Sequence, residues 1–391
     1  MATINEKKIQ ISAVIPLYNA EKYIAATIDS LLNQSYELDE IIVVDDCGHD
    51  RSAEIVKIYC EKFESVRLIH LEKNQGGSAA RNRGIKEAKN EWILLMDADD
   101  IAAPSLLEEE VNLLKKFQKK DSEVILVHPA YQQIDENGNV YEDSIFRGKQ
   151  MELEEQFGTL LVRNHIITPS GLLVKKQAVI EVGGFQSFRI IEDYDFILRM
   201  SQKGSFAYVD EPLLYFRRHA TSITKDISKA KDAERAVIEQ YGLKRIKEAV
   251  YKRHLPYEQN QLDFVSMLYR FDMWEEGFQE LTAIDNIENN NTAIFLQALY
   301  FLNCKEFDKA EMFFKQILDK NANHGAALNN RAVLYALKGN NEKARQLFEK
   351  ALYLYPGYMD VNNNLAVLNN GNKEFKWTWR ELRPNLLRYS E

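Results

Sequence analysis

The sequence predicts an α/β fold with a mostly parallel sheet flanked by helices, followed by an all-α array of helical repeats. Three observations carry this. Up to residue 100, short runs rich in β-branched residues alternate with helical periodicity at βαβ spacing. Each run passes polar residues to a loop at its C-terminal end, where open α/β sheets place their ligand crevices. Beyond residue 256, Ala310–Leu318 matches Ala344–Leu352 at an offset of 34 residues, the period of a stacked helix pair.

Ile9 to Ile15 reads as a strand ended by Pro16, with Pro16-Leu17-Tyr18-Asn19 as its loop and a helix over Glu21 to Leu32. Glu40 to Val44 is a second strand ending in Asp45-Asp46, followed by a helix over Ser52 to Phe63 and a third strand over Ser65 to His70. Asn74 to Gly84 is a Gly-rich turn into a helix from Ser78, whose free N–H groups are expected to face an anion. Trp92 to Leu95 is apolar throughout and runs directly into Asp97-Ala98-Asp99-Asp100. Three carboxylates so close repel one another, which favours a hard cation such as Mg²⁺ or Mn²⁺ among them. They read equally well as a turn and helix cap ahead of Pro104. Further on come a strand over Ser122 to Val127, an Asn-Gly hairpin at 134–140 and a strand at Leu172 to Val174. A second acidic cluster, Glu192-Asp193-Tyr194-Asp195, opens a helix, and Tyr208 to Arg217 leads to Arg218-His219.

At 391 residues two domains are expected. A net charge of −9 excludes a general nucleic-acid binder. Three scattered cysteines fit reduced thiols in a cytosolic compartment. There is no apolar signal core at the N-terminus and no run of about 18 apolar residues. The expected location is cytoplasmic, with a peripheral position at the inner face of the membrane as the variant.

Pro16-Leu17-Tyr18-Asn19, Val44-Asp45-Asp46, Asn74-x-Gly76, Ala80-Arg81-Asn82-x-Gly84, Asp97-Ala98-Asp99-Asp100, Gly183-Gly184-Phe185, Glu192-Asp193-x-Asp195 and Arg218-His219 occur in this order across residues 9–225. In this the chain resembles the family 2 glycosyltransferases. The resemblance implies a GT-A fold, in which a Rossmann-like nucleotide-binding half joins an acceptor-binding half. It also implies inverting sugar transfer from a nucleotide-diphosphate donor, most readily a UDP-sugar. On the motif positions, Asp99 is expected to ligate a divalent cation, Mn²⁺ or Mg²⁺, with Asp97 reaching the ribose or the metal through water. Asp100 is a secondary candidate, with helix capping as its alternative. Asp193 matches the family's general base, and Glu192 is its nearest alternative; Asp195 is expected to orient the helix or pair with Arg199. His219 stands where many members carry a metal-binding histidine, its alternative being a surface position beside Arg217 and Arg218. For the nucleotide, Pro16, Tyr18 and Asn19 form the first loop, with Tyr18 packing on the base. Asp46 accepts from a base imide, and Arg81 pairs with the diphosphate or holds the acidic loop. Cys47-Gly48-His49 departs from the family's usual second loop.

The expected domains are a GT-A domain at 1–225, a charged helical connector at 226–256 and a tetratricopeptide-like domain at 257–391. Tyr335, Gly339, Ala344, Phe348, Ala351 and Pro356 fall where that repeat wants them. The expected partners are a UDP-sugar, a glycan or protein acceptor, and a protein contact or homodimer made by the repeats, which serve acceptor recruitment or self-association. The Asn-rich runs at 289–291 and 362–364 read either as binders of an extended peptide backbone or as helix ends, and Trp377-Thr378-Trp379 as a cap or a loose tail. The competing reading of the whole chain is an inactive transferase-like scaffold. A nucleotidyltransferase is disfavoured because the phosphate-gripping Gly-rich loop after the first strand is missing.

Overall fold

A computed structural model of the chain describes residues 8–118, 123–166, 168–187, 191–218, 234–285, 287–370 and 374–380. It divides into two compact units, Met1–His254 and Leu255–Glu391.

In the first unit the described strands form a sheet of order β3-β2-β1-β4-β8-β6-β9-β5, with β7 beside β6. β1 (Ile11–Leu17), β2 (Glu40–Asp45), β3 (Val66–His70) and β4 (Trp92–Leu95) are mutually parallel. β1 lies between β2 and β4, so the chain reverses its winding there and leaves a crevice at the carboxyl ends of these strands. β1 continues through Pro16 rather than stopping before it. The Val14 carbonyl accepts from Met96 N on the β4 side. Two residues on, Pro16 turns its nitrogen to that same side, where β4 has ended and no donor is required.

The second half of the sheet is mixed. β8 (Leu172–Lys175) runs against β4, β6 (Val124–Ile134) against β8, and the Asn-Gly hairpin turns β6 into β7 (Val140–Phe146). β9 (Ser205–Arg217) lies parallel to β6, slips register at Pro212, and returns to pair with the short β5 (Ile101–Ala102) just after the acidic loop. The fold thereby brings the end of β9 back to the carboxyl edge of β4.

Helices α1 (Ile24–Leu32), α2 (Ser52–Lys62), α3 (Gly77–Glu87) and α4 (Leu106–Gln118) cover the sheet. α5 (Leu153–Val162), α6 (Lys176–Glu181) and α7 (Glu192–Met200) complete the later half of this unit. The described part of the stretch read as a connector folds onto this unit. Its helix α8 (Leu243–Tyr251) packs so closely on α5 that a Cβ at Gly158 would stand 2.1 Å from the Ala249 carbonyl oxygen.

The second unit is a run of helices: α9 (Tyr257–Arg270), α10 (Trp274–Thr282), α11 (Asn291–Asn303), α12 (Phe307–Lys320), α13 (Gly325–Leu337), α14 (Asn341–Leu354) and α15 (Met359–Asn370). The repeat positions Ala310, Phe314, Ala344, Phe348 and Ala351 are fully buried, as a stacked-pair core requires. Gly339 takes the left-handed conformation that ends α13. Asn290 accepts from Ala293 N and caps α11, so one of the two Asn-rich runs is a helix end. Among the described residues no helix is long and apolar enough to cross a membrane.

Gly84 shows how tightly α3 sits on the sheet: a Cβ there would come 2.4 Å from Val14 Cγ1. Gly84→Ala is expected to destabilise the first unit by about 1–3 kcal/mol, because overpacking outweighs the better helix propensity of Ala. Thermal unfolding checks this, and an unchanged or raised Tm would show that the helix can shift outward without cost.

Candidate active site

The four residues of β4 are buried on both faces, and the acidic loop begins as the chain leaves the sheet. Two neighbours fix the loop. Thr27 Oγ1 on α1 lies 3.0 and 2.9 Å from the carbonyls of Ala98 and Asp100, and Asp97 N donates to Ser170 Oγ at 3.1 Å. Asp97 and Asp99 are half-buried, whereas Asp100 is buried.

Asp100 does not cap a helix, since α4 begins only at Leu106. Its Oδ1 accepts from Arg217 N at 2.9 Å. Burial, with the charges of Asp99 and Asp97 adding to it, raises its carboxyl well above the usual range. Arg217, at the end of β9, is the residue that sequence reasoning passed over. Its guanidinium donates to the carbonyls of Asp99 (2.7 Å), Asp135 (3.0 Å) and Glu136 (3.1 Å), and stacks over Tyr23. A buried arginine tying the acidic loop to a distant hairpin has no local signature beyond an Arg closing an apolar strand.

Arg81, on α3, joins the two acidic clusters. Its Nη2 donates to Asp97 Oδ1 at 2.6 Å, its Nη1 stands 4.0 Å from Glu192 Oε1, and its guanidinium lies over the Phe185 ring. These contacts tie the acidic loop to α3. The side chain is only 7% exposed, and neither Nε nor Nη1 has a hydrogen-bond partner. A buried guanidinium with unused donors suits an anionic ligand.

Its neighbour Asn82 explains the Gly183-Gly184-Phe185 motif. The Asn82 carboxamide exchanges two hydrogen bonds with the Phe185 backbone (2.8 and 2.7 Å). A Cβ at Gly184 would come 2.4 Å from Asn82 Oδ1, and Gly184 is in the left-handed region. Asp195 pairs with Arg199 at 2.5 Å, and Arg199 Nη1 holds the carbonyls of Val182 and Gly184. These bonds set the angle at which α7 presents its first turn. There Asp193 accepts from Tyr194 N at 2.7 Å. Burial and then the Glu192 charge push its carboxyl up to about 7, against the Tyr194 N–H and the Arg81 guanidinium.

Just ahead of α3 a carboxylate of the chain itself meets two backbone N–H groups. Asp46 accepts from Gln75 N and Gly76 N, both at 2.7 Å, so its carboxylate shapes the Gly-rich turn. Asp45 accepts from Gly48 N and meets His70 Nδ1 at 2.9 Å. Pro16 lies within β1, and in the loop that follows Asn19 has φ 50° and accepts from His49 N at 2.7 Å. Tyr18 is 48% exposed, its ring edge-on to His49. The Cys47 thiol is 3.0 Å from the Leu71 carbonyl.

His219 lies outside the described residues. Among the described residues no group of three His, Cys, Asp or Glu side chains forms a ready-made metal cage. Asp97 and Asp99 still fit a cation that takes most of its ligands from a diphosphate and water, as Mg²⁺ does.

A sequence-family model described as glycosyl transferase family 2 matches residues 12–183, and a tetratricopeptide repeat model matches residues 325–358. The glycosyltransferase GlyG of Streptococcus pneumoniae is 31% identical over 234 residues, which cover 57% of this chain and 76% of that protein. An uncharacterized glycosyltransferase of Haemophilus influenzae is 29% identical over 236 residues, covering 59% and 76%. Among solved structures, S. aureus TarS 1-349 in complex with UDP-GlcNAc superposes with a TM-score of 0.51 at 18% identity, over 88% of this chain and 91% of that one, a likeness of fold. The chain is a glycosyltransferase of GT-A fold carrying tetratricopeptide repeats, and it belongs to glycosyltransferase family 2.

Proposed function

We propose that the enzyme transfers a hexosyl or N-acetylhexosaminyl group from a UDP-sugar to an acceptor hydroxyl with inversion, and that Asp193 is the general base. The observation that carries this reading is the convergence of the Asp97–Asp99 loop, the half-satisfied Arg81 guanidinium and the Glu192-Asp193 turn. TarS, of like fold, is described with UDP-GlcNAc bound, which favours the uridine donor. The exposed Tyr18 ring, edge-on to His49, offers a surface for the base.

In the reaction the acceptor oxygen bonds to the anomeric carbon as the bond from that carbon to the diphosphate breaks. The acceptor proton passes to an Asp193 carboxylate oxygen, and the nucleoside diphosphate leaves. Asp99, with Asp97 beside it and His219 as a further candidate, would hold a divalent cation, Mn²⁺ or Mg²⁺, which would supply neutralisation of charge on the leaving diphosphate. Arg81 holds the Asp97 carboxylate in place at 2.6 Å and turns its unused N–H groups to the same anion. Asp46 keeps the Gly-rich turn in place under the nucleotide. A carboxyl near 7 is matched to its task, since it is basic enough to take a hydroxyl proton and still half ionised at neutral pH. The repeat unit serves acceptor recruitment or self-association, and the acceptor is a protein or a surface glycan.

With donor and metal saturating, kcat/KM for the acceptor is expected to rise with pH and reach half its plateau near pH 7. Asp193→Asn should lower transfer by about 10²–10⁴-fold while donor binding persists. The same raised carboxyl makes the folded state lose stability as pH climbs through 7. The Tm advantage of Asp193→Asn over wild type should therefore widen from pH 4 to pH 7. A flat rate profile between pH 6 and 8 would move the base elsewhere.

Thermal unfolding with UDP at about 100 times its dissociation constant should show roughly 2.7 kcal/mol of added stability when Mn²⁺ is present. Asp99→Ala should abolish the metal-dependent part. An undiminished metal effect in that variant would remove Asp99 from the cation site.

A further inference from the structure

The second unit holds a piece of its own chain in a polar groove. Residues 374–380 form neither helix nor strand and lie along the first helices of successive pairs, α13 and α15. Asn330 on α13 exchanges two hydrogen bonds with the Thr378 backbone, N–H to Oδ1 at 2.8 Å and Nδ2 to C=O at 2.9 Å. Asn364 on α15 does the same with Lys376, at 2.6 and 2.8 Å. These two asparagines occupy the same position of the 34-residue repeat, and they read alternate residues of the segment. Both carboxamides are completely buried, as is Asn329 between them, which bonds to the Lys376 carbonyl and the Thr378 hydroxyl. A helix face that needed only to pack would carry apolar residues here, because buried amides cost stability without a polar partner.

The groove also reads one side chain. The Thr378 hydroxyl meets Asn329 Nδ2 (2.9 Å), Asp360 Oδ2 (2.7 Å) and the Tyr358 hydroxyl, which uses its whole bonding capacity. On the opposite side of the segment Trp377 stacks on Phe307, and Trp379 stands edge-on to Trp274 while staying 42% exposed.

We infer that this face is a receptor for an extended polypeptide with a threonine between aromatic residues, that Phe375–Trp379 fills it in cis, and that a partner polypeptide binds by displacing that segment. The paired amide bonds hold any extended backbone, as strand addition does. The hydroxyl pocket and the aromatic flanks supply the selectivity. This reading is independent of the donor and metal used by the first unit.

The test uses the full chain with a protease recognition sequence inserted between Asn370 and Glu374, cut so that the tail stays only by its contacts. A fluorescent peptide, Glu-Phe-Lys-Trp-Thr-Trp-Arg, is then titrated in while helical circular dichroism is followed. The expected result is saturable exchange of the peptide for the tail with the helical signal unchanged. Asn330→Ala with Asn364→Ala should weaken it by at least about tenfold, and so should a peptide carrying the Thr378→Val change. The inference is overturned if the cut tail leaves only when the helices unfold, which would make it a structural cap. It also falls if the valine peptide binds as well as the threonine one, a readout that does not depend on the asparagine variants folding.

Discussion

The Arg81 guanidinium is the interaction on which the catalytic half depends. It is buried, and burial opposes its charge, but Asp97 first and then Glu192 and Asp193 more than offset that. A pair so placed is weak evidence for stability, since its desolvation consumes most of its attraction. Its effect here is positional. One planar cation bridges the end of β4 and the start of α7, elements that the sequence separates by about a hundred residues, and fixes two acidic loops that would otherwise repel.

Around that bridge the site is built from loops held by backbone bonds. Thr27, Ser170 and Arg217 tie down the acidic loop, Asp46 ties down the Gly-rich turn, and Asn82 with Arg199 orients the turn before α7. Motifs that read as separate signatures in the sequence are thus parts of one network. Gly184 is glycine because Asn82 occupies the space a side chain would need. Burial raises the Asp100 carboxyl well above the usual range, while Asp97 and Asp99 remain only half-buried on the same loop.

The repeat unit follows a different logic. Its small and aromatic repeat positions are pure packing, and its specific chemistry lies in three carboxamides that packing alone does not explain. Because those amides recognise main chain, they bind a segment for its extended conformation first and its sequence second.

The strands and helices up to β4 and the 34-residue helix pairs were legible in the sequence because periodic burial leaves a local pattern, whereas α5 and β5 were not. The eight motifs were likewise enough to identify the family and its GT-A fold. Other matters were not local. Pro16 sits inside β1 because β4 stops beside it, a fact about a neighbouring strand. Arg217 reaches the acidic loop only after β9 returns to pair with β5, and Asp100 loses its expected capping role to that same arginine. For Asn364 the sequence left open a backbone binder or a helix end, and Asn330 gave no signal of its own; the tail lying across them supplied the partners of both. The sequence by itself determined which elements form and which residues carry charge, since both follow from spacing and side-chain chemistry. Only the tertiary structure decided which charges meet and which main-chain groups find partners, because those pairings depend on long-range packing that no local pattern encodes.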